Sequence, residues 1–464
     1  MAERERWALA VGTVLCVLLL TSVGTVTAQP DCSMVIYDED AEGNRLVEDV
    51  EQLQCIADNP VSDYKLDNDI DARDTFEWNG GAGFEPIGVT FRGTFDGDGY
   101  SVNELNINRA NESEVGLFAS TGGNAVVENV VLEEVRVVGS EDVGGVVGRN
   151  EGEVRDARVT GSVTGEGERS TGGIVGRNVG GLVTRSSSSA EVVGVRYVGG
   201  LIGRNTGDVS LSYTDGTIEG DDTVAGLVGY NLGTVRDSYS TADAEGRVTI
   251  AGLVGRNRGD AAIRNSYAAG RVNGRTEVRG LVATNSATVE GSYFDVESVS
   301  EAGDPRTDPG GTGLSTNEMT GDRARQTMTA LDFDETWKTV TNPDGYPALA
   351  WQIQDVSGPG SGDGEDSNGD ESNGEDGSDD GDGTDEDDGV DDGMDDEEDG
   401  DGDDGTDGDT DDGTDGIDGN DTDDETDDGT DDTGDDGGEG LPGFGVFVAV
   451  AALMAVGLSR RFDT

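Results

Sequence analysis

The sequence contains no histidine, three cysteines and only two lysines, Lys65 and Lys338. The absence of histidine removes the commonest general base and the commonest metal ligand from any mechanism. A cysteine nucleophile is equally unpromising in a chain with so few thiols and no histidine to activate one. We therefore predict that the protein is not an enzyme, and we assign it no catalytic residue, no metal site and no cofactor.

Acidic residues dominate the charge, with 99 aspartates and glutamates against 30 lysines and arginines and a formal net charge of -69. An aspartate-rich, lysine-poor composition is typical of proteins that work in concentrated salt. At 1 M salt a Debye length of about 3 Å screens the self-repulsion of such a chain. We therefore predict a haloarchaeal source, and we expect neither nucleic acid nor an anionic lipid surface as a partner.

One short phrase recurs through the middle of the chain: a small residue, two aliphatic residues, a second small residue, any residue, and then asparagine. The six copies are residues 145–150, 173–178, 200–205, 226–231, 252–257 and 280–285, and a weaker copy begins at Gly116. From one glycine to the next, the steps are 29, 28, 27, 26, 26 and 28 residues. A nearly constant period of this length is typical of a solenoid whose units stack on their neighbours.

A second element follows in each of the last four periods and ends in the pair Ser-Tyr. The apolar segments of both elements are three to five residues long, rich in valine and isoleucine, and bounded by Gly, Asn, Asp and Ser. Such segments are typical of short strands joined by turns, and none of them has the pattern of an amphipathic helix. We therefore predict an all-β fold, a right-handed parallel β-helix of about 7–8 coils.

Stacked coils place equivalent side chains one above the other at the strand spacing of about 4.8 Å. The asparagines that close the repeats would then form a ladder at one corner, where their side chains can satisfy backbone groups of the bend. This asparagine ladder consists of Asn150, Asn178, Asn205, Asn231, Asn257 and Asn285.

Two further sets of side chains recur with the same period, and each has a structural and a functional interpretation. The tyrosine ladder consists of Tyr213, Tyr239, Tyr267 and Tyr293. It either stabilises the sheet as an internal or half-exposed stack or, if all four rings face solvent, offers a platform for sugar rings. Arginines precede four of the ladder asparagines, at Arg149, Arg177, Arg204 and Arg256. They form either a solvated corner or a cationic stripe for an anionic glycan.

The repeated Gly-Leu-Val-Gly core, as in residues 226–229, resembles the GLUG motif of bacterial and archaeal surface proteins. The resemblance covers roughly residues 84–297, and its first part, from Phe84 to Ile107, looks like the coil that precedes such repeats. What the resemblance implies is a parallel β-helix at the cell surface. It implies no reaction, because the motif marks a scaffold and not a chemistry.

The flanking segments are predicted to cap the solenoid, because the open strand edges at its two ends would otherwise invite association. The N-terminal cap is residues 29–83, with a helix-like stretch at 46–57. The C-terminal cap is residues 298–355, whose aromatic residues Trp337 and Trp351 could plug the far end.

Residues 1–28 have the outline of a secretory signal peptide, with cleavage expected after Ala28. No Arg-Arg pair precedes the apolar run, which favours the general secretory route. Export would leave Cys32 and Cys55 as two thiols in an oxidising setting, so we predict a disulfide between them, with two free thiols as the alternative. The triplets at Asn111 and Asn420 have the form of N-glycosylation acceptors.

Residues 356–440 form an acidic linker, in which positions 361–440 hold 41 aspartates and glutamates and no lysine or arginine. Low hydrophobicity and extreme charge predict a disordered tether. No window has the full spacing of a helix-loop-helix calcium site, so diffuse condensation of cations is the better interpretation of this charge.

Residues 441–464 carry a short apolar run between a Pro-Gly-Phe tripeptide and a pair of arginines. They resemble the PGF-CTERM sorting signal of archaeal surface proteins, which is read by an archaeosortase. The resemblance falls on Pro442, Gly443, Phe444, Arg460 and Arg461. It implies removal of the tail and attachment of a lipid, and the alternative is a retained C-terminal anchor helix. Either route would anchor the chain to the cytoplasmic membrane or envelope.

Together these features predict an exported, envelope-anchored cell-surface protein that presents a β-solenoid for adhesion or surface interaction. The expected partners are an archaeosortase-type processing enzyme, the membrane, and a surface glycan or a protein of a neighbouring cell. Two alternatives remain open. One is a glycan-degrading β-helix lyase or hydrolase, which would use clustered carboxylates such as Asp96, Asp98, Asp156, Asp215 and Asp237 with Arg236. The other is a structural component of the cell envelope.

Overall fold

A computed structural model describes residues 30–88, 90–300, 308–341 and 344–354. Several predicted features lie outside these residues: the signal peptide with Ala28, the acidic linker with Asn420, and the C-terminal segment with Pro442, Gly443, Phe444, Arg460 and Arg461.

Within these residues the chain winds into a parallel β-solenoid, and a full coil passes through four sheets in turn, named A to D here. Sheet A has six strands: Val143–Gly144, Thr171–Gly172, Val198–Gly199, Thr223–Ala225, Thr249–Ala251 and Glu277–Arg279. Sheet B has seven: Phe118–Thr121, Val147–Asn150, Val175–Asn178, Ile202–Asn205, Val228–Asn231, Val254–Asn257 and Val282–Asn285.

The other two sheets are longer. Sheet C has ten strands: Arg45–Val47, Tyr64–Leu66, Thr94–Asp96, Val126–Glu128, Glu153–Arg155, Leu182–Thr184, Asp208–Ser210, Thr234–Arg236, Ala262–Arg264 and Thr288–Glu290. Sheet D has fifteen: Ile70–Asp71, Ser101–Asn103, Asn106–Arg109, Val131–Gly139, Arg158–Gly165, Ser187–Ser188, Glu191–Gly194, Tyr213–Thr214, Thr217–Gly220, Tyr239–Ser240, Asp243–Glu245, Tyr267–Ala268, Val272–Asn273, Tyr293–Asp295 and Thr312–Leu314.

Helices are confined to the two ends of the described chain. The α-helices are Val50–Gln54, Thr316–Met319, Gly321–Thr327 and Ala350–Gln354, and the 3-10 helices are Cys32–Met34, Cys55–Asp58, Arg73–Glu77, Asn79–Gly81 and Val296–Ser298. An antiparallel hairpin, Trp337–Thr341 with Asp344–Leu349, completes the fold.

The predicted all-β, parallel solenoid is confirmed, but it is longer than expected. The ten strands of sheet C are joined by nine successive pairings, which gives about nine turns instead of 7–8. The additional length comes from the predicted N-terminal cap, because Arg45–Val47 and Tyr64–Leu66 pair in parallel and join sheet C. These strands lack the Gly-rich phrase, so the repeat alone did not identify them. The solenoid therefore starts before residue 84.

Aliphatic side chains fill the interior of the coils. The leucines of the repeat, Leu201, Leu227, Leu253 and Leu281, have no exposed surface, as predicted from their stacking. The central residues of neighbouring strands in sheet C, such as Val209 and Val235, are equally buried. Burying a side chain of this size contributes about 1.5–3 kcal/mol, so repetition over many coils supplies most of the favourable free energy.

Glycines of the repeat allow the coils to approach one another. A Cβ atom at Gly200 would overlap the carbonyl oxygen of Gly226 in the next coil, and one at Gly226 would overlap that of Gly252. Backbone hydrogen bonds join the coils at this level: the amide of Gly252, for example, donates to the Gly280 carbonyl of the next coil at 3.1 Å. Any side chain at these positions would separate strands that must lie in contact.

The asparagines of the repeat form a continuous hydrogen-bonded ladder, which is buried except at Asn285. In each step the side-chain amide nitrogen donates to the side-chain oxygen of the next asparagine at 2.8–2.9 Å, from Asn150 through to Asn285. Asn205 also holds its own bend, because its side chain donates to the Gly207 carbonyl at 2.9 Å and accepts from the Gly207 amide at 3.1 Å. The ladder therefore joins successive coils and closes each corner.

The first coil is covered by the helix Val50–Gln54, whose buried face includes Leu53. The Gln54 side chain donates to the Glu85 carbonyl and accepts from its amide, both at 2.8 Å. Cys32 and Cys55 are joined by a disulfide, with their Cα atoms 5.3 Å apart. No preceding coil exists to pair the backbone of Glu85, so the Gln54 side chain pairs its carbonyl and amide instead.

A carboxylate covers the last coil of the solenoid. The amide of Leu253 donates to the Leu281 carbonyl of the next coil, and the amide of Leu281 donates to the Asp308 side chain at 2.7 Å. Burial raises the pKa of Asp308, and the amides that it accepts from oppose that shift. Asp308 replaces the missing carbonyl and ends the hydrogen-bonded column.

Replacing Asn205 with alanine should lower the free energy of unfolding by about 3 kcal/mol or more. The substitution removes four hydrogen bonds, leaves the Gly207 amide without a partner, and takes one hydrogen bond each from the Asn178 and Asn231 side chains. Denaturant unfolding in molar salt measures the loss. The matched control is Asn285→Ala at the end of the ladder, where we expect about 1 kcal/mol because the site is partly exposed. Equal losses for the two variants would contradict a cooperative ladder.

Candidate ligand-binding surfaces

The tyrosine ladder is stacked and covered. The rings of Tyr213 and Tyr239 lie 5.1 Å apart and those of Tyr239 and Tyr267 4.9 Å apart, each pair at an interplanar angle of 7°. Trp337 packs over the ladder, with its ring 5.9 Å from Tyr239 and 5.5 Å from Tyr267. The ladder is therefore a structural element, and it is not available as a sugar platform.

The segment that covers the tyrosines is the predicted C-terminal cap. Its strand Thr312–Leu314 extends sheet D beyond the last coil, as expected for an end cap. The rest folds back along the side of the solenoid as far as Leu211, whose carbonyl accepts a hydrogen bond from the Trp351 indole at 2.9 Å. Leu331, Phe333 and other apolar side chains form a second core with the tyrosines. The sequence did not reveal this lateral position, because nothing in the repeat indicates which face a non-repeating segment will cover.

Burial changes the acidity of the covered tyrosines. It raises the pKa of Tyr239 and that of Tyr267 well above the ordinary value for a phenol, because a phenolate would lose its hydration under the cap. The Tyr267 hydroxyl donates to the Pro347 carbonyl at 2.5 Å, and the Tyr293 hydroxyl accepts from the Ala330 amide at 3.0 Å. The hydroxyl groups thus fasten the cap to the solenoid.

The carboxylates considered for glycan hydrolysis are engaged in contacts within the solenoid. Asp96 accepts from the Asn129 side chain at 2.8 Å, and Asp98 pairs with Lys65 at 3.0 Å. A pair of hydrogen bonds at 2.7 and 2.5 Å joins Asp156 to Arg185.

Two further carboxylates considered for glycan hydrolysis, Asp215 and Asp237, also contact other residues of the solenoid. Asp215 accepts from the Ser189 hydroxyl, and Asp237 pairs with Arg236 at 3.3 Å. Each contact links neighbouring residues or neighbouring coils. These observations favour a structural role for the acids over a catalytic pair.

A groove of about 450 Å³ begins where the cap ends. In sheet D the tyrosine column continues through Ser187 to Arg158, so the aromatic stack gives way to smaller and polar residues. Trp351 and Asp156 also line the groove. One indole and several polar groups around an open groove are compatible with a polar ligand.

The predicted arginine stripe lies on sheet B, in register from coil to coil. Arg149 pairs with Arg177, Arg177 with Arg204, Arg204 with Tyr230, and Tyr230 with Arg256 as strand neighbours. All of these residues are half-buried, so the stripe is neither a core element nor a fully solvated corner. Tyr230 breaks the arginine series, a feature visible in the aligned repeats but not used in the prediction.

An aromatic pair lies beside the centre of the stripe. The ring of Tyr230 is 5.0 Å from that of Tyr197, which belongs to the turn between sheets D and A. The guanidinium carbon of Arg204 lies 5.4 Å from the Tyr230 ring centre, and that of Arg196 lies 4.9 Å from the Tyr197 ring centre. Arg177, Arg196, Arg204, Tyr197 and Tyr230 are called the arginine–tyrosine cluster below. Sequence spacing did not predict it, because Arg196 and Tyr197 lie outside the repeated phrase.

Asn111 and the serine two residues later are exposed, so the acceptor triplet is accessible. Among the described residues, no group of three or more Asp, Glu, Cys or His side chains could hold a metal ion. Nor does this part of the chain contain a helix long and apolar enough to cross a membrane.

The family model for the GLUG motif matches residues 139–164 and 246–273. Two repeats of the chain therefore match the GLUG motif. These GLUG repeats account for the turns of sheets A to D that the two matches cover.

Part of the chain is similar to Halomucin of Haloquadratum walsbyi, with 39% identity over 155 residues. The match covers 32% of this chain and only 2% of Halomucin, so the chain spans a small fraction of that relative.

Two solved structures are similar to part of this chain. A protein from Bacteroides ovatus, described as an immunoglobulin A1 protease, has a TM-score of 0.46 and 17% identity over 69% of this chain and 97% of its own. A second IgA1 protease has a TM-score of 0.36 and 18% identity, over 58% of this chain and 21% of its own. At these scores and identities, neither likeness carries a functional argument.

Replacing Trp337 with alanine should release the cap from the tyrosine ladder. The indole is fully buried, and removal of a side chain of this size costs about 3–5 kcal/mol. Spectrophotometric titration should then show tyrosines that ionise closer to pH 10, because the uncovered phenolates regain hydration. Phe76→Ala, at an exposed site away from the ladder, is the control and should leave the titration unchanged. A variant that titrates like the wild type would show that the cap does not depend on Trp337.

Proposed function

We propose that this protein is exported through the general secretory route, anchored at the cell envelope by its C-terminal segment, and presents its solenoid for adhesion or surface interaction in a high-salt organism. The observation that carries the proposal is the similarity to Halomucin together with the GLUG repeats. The acidic, lysine-poor composition supports the high-salt setting.

The architecture supports presentation of a surface. Backbone groups at the two ends of the solenoid are paired, by Gln54 of the helix Val50–Gln54 and by Asp308, which disfavours association through those strand edges. The sides of the solenoid, by contrast, offer long columns of aligned side chains, such as the stripe from Arg149 to Arg256. A scaffold of this kind suits binding along a face.

We also propose that the protein has no catalytic role. Support comes from the absence of histidine in the sequence and from the pairing of the candidate acids, above all Asp156 with Arg185. The glycan-degrading alternative makes a distinct prediction, because it requires that purified protein shorten a polysaccharide. Release of new chain ends from an acidic or neutral polysaccharide would overturn the non-enzymatic proposal.

Replacement of Pro442, Gly443 and Phe444 with alanines in the native cells tests anchoring and adhesion together. If the tripeptide is read by an archaeosortase, the variant should be misprocessed or shed into the medium, and cell attachment should fall with it. Fractionation, immunodetection and a surface-attachment assay measure these outcomes. The matched control replaces Gly437 and Gly438, just upstream, with alanines and should behave as the wild type.

The same experiment separates the parts of the proposal. Normal anchoring of the Pro442–Phe444 variant would show that the sorting-signal assignment is wrong. Lost anchoring with undiminished attachment would overturn adhesion and favour a structural role in the envelope.

A further inference from the structure

The centre of the arginine stripe differs from its ends in how its charge is compensated. At one end Arg149 pairs with Glu151 at 2.6 Å, and at the other Arg256 lies 3.6 Å from Asp222, which also contacts Arg196 at 3.3 Å. Between them, neither Arg177 nor Arg204 has a carboxylate within 4.0 Å among the described residues. Arg177 and Arg204 are strand neighbours, so two positive charges lie side by side there without a close counter-ion.

Another arginine column of the same solenoid provides the contrast. Arg236 and Arg264 are strand neighbours in sheet C, so their spacing equals that of Arg177 and Arg204. Each of them nevertheless has an acidic partner, Asp237 at 3.3 Å for the first and Glu290 at 3.1 Å for the second. Arginines that stack in this fold can therefore still have carboxylate partners.

The positive charges at the centre of the stripe repel one another in a half-buried setting. Burial lowers the pKa of Arg177, the charge of Asp142 raises it, and the charges of Arg204, Arg149 and Arg169 lower it. Asp142 forms no ion pair within 4.0 Å of Arg177, so its charge acts on Arg177 only from a longer distance. Arginine remains protonated, so a bound anion would relieve this repulsion.

The guanidinium groups of Arg177 and Arg204 retain unused donors, because neither side chain donates a hydrogen bond to another described residue. Their Nε atoms are buried, so the terminal nitrogens are the donors that a ligand can reach. Tyr230 faces Arg204, and its contact with Tyr197 fixes the position of both rings. Because cation–π contacts already restrict Arg204 and Arg196, binding through them would cost less conformational entropy than it would for solvated arginines.

We propose that the arginine–tyrosine cluster, on sheet B and the adjoining turn, binds the oxyanion groups of an acidic polysaccharide, either uronate carboxylates or sulfate esters. Arginine donors form paired hydrogen bonds with both kinds of group. The strand spacing of about 4.8 Å repeats the donors along the solenoid, as an extended polymer with repeated charges requires. The proposal rests on the proposed role in surface interaction and names the ligand class for it.

Salt explains how an acidic protein can bind such a polymer. In molar salt the Debye length is about 3 Å, so the net charge of the chain does not repel a polyanion at a distance, and long-range attraction is lost as well. Binding must then come from short hydrogen bonds and packing at a preformed site. The half-exposed rings of Tyr197 and Tyr230 add apolar surface that a sugar ring can contact. The Asp- and Gly-rich stretch 361–440 has no ring to pack against these tyrosines, so a polysaccharide fits the surface better.

The test compares two double variants of the full-length protein. Isothermal titration in 1 M salt would use polygalacturonate and a sulfated polysaccharide as the two anionic probes and dextran as the neutral one. We expect at least one anionic probe to bind, dextran not to bind, and Arg177→Gln/Arg204→Gln to weaken binding about tenfold or more. The control, Arg236→Gln/Arg264→Gln, removes the same charge at the same spacing and should change the affinity less than about twofold.

Several outcomes would overturn the proposal. Equal weakening by the two double variants would indicate nonspecific attraction, and no binding of either anionic probe would remove the ligand class. Polyaspartate that binds as tightly as the polysaccharides would instead make the acidic stretch 361–440 the occupant. Circular dichroism of each variant verifies that the solenoid remains folded.

Failure of this inference can be distinguished from failure of the proposed function. Cells that carry Arg177→Gln/Arg204→Gln retain the C-terminal signal, so the protein should still reach the surface. Reduced attachment of these cells supports the cluster as the binding surface. Normal attachment would overturn its role in adhesion, although the test with Pro442–Phe444 could still support anchoring and adhesion by another face.

Discussion

In-register stacking of each coil on the next is the constraint on which the whole structure depends. Backbone amides and carbonyls of short strands have no partners within their own coil, so every coil must pair with its neighbours at the strand spacing. The asparagine ladder enforces this register at a buried corner, and the glycine at Gly200 and its equivalents removes the side chain that would prevent contact. Residues at equivalent positions must therefore be identical or closely similar, which is the physical origin of the repeat.

The same stacking leaves backbone groups without partners at the ends of the solenoid and places an apolar strip along one of its sides. At the end, the side chain of Asp308 takes the place of a carbonyl that a further coil would have supplied. Along one side, the tyrosines stack into an apolar strip that would be exposed without Trp337 and the segment around it. The C-terminal cap thus has two roles, covering a strand edge and covering an aromatic face, and the second accounts for most of its buried apolar residues.

Repetition also explains how a binding surface can arise on a scaffold without a conventional pocket. A single substitution in the repeat, Tyr230 in an arginine column, changes the local balance of charge and aromatic surface. It places a ring next to Arg204 and allows contact with Tyr197 of the adjoining turn. Function in such a protein can depend on departures from the repeat, while the repeat itself maintains the fold.

The amino-acid sequence alone determined the solenoid, the alignment of its coils and the two ladders, because stacking converts a period in sequence directly into a column in space. It left the number of turns too low, since Arg45–Val47 and Tyr64–Leu66 continue sheet C without the Gly-rich phrase. Only the tertiary structure decided which columns are covered and which carboxylates accompany which arginines. Those outcomes depend on non-repeating segments, such as the cap at Trp337 and the turn at Tyr197, whose positions no period encodes.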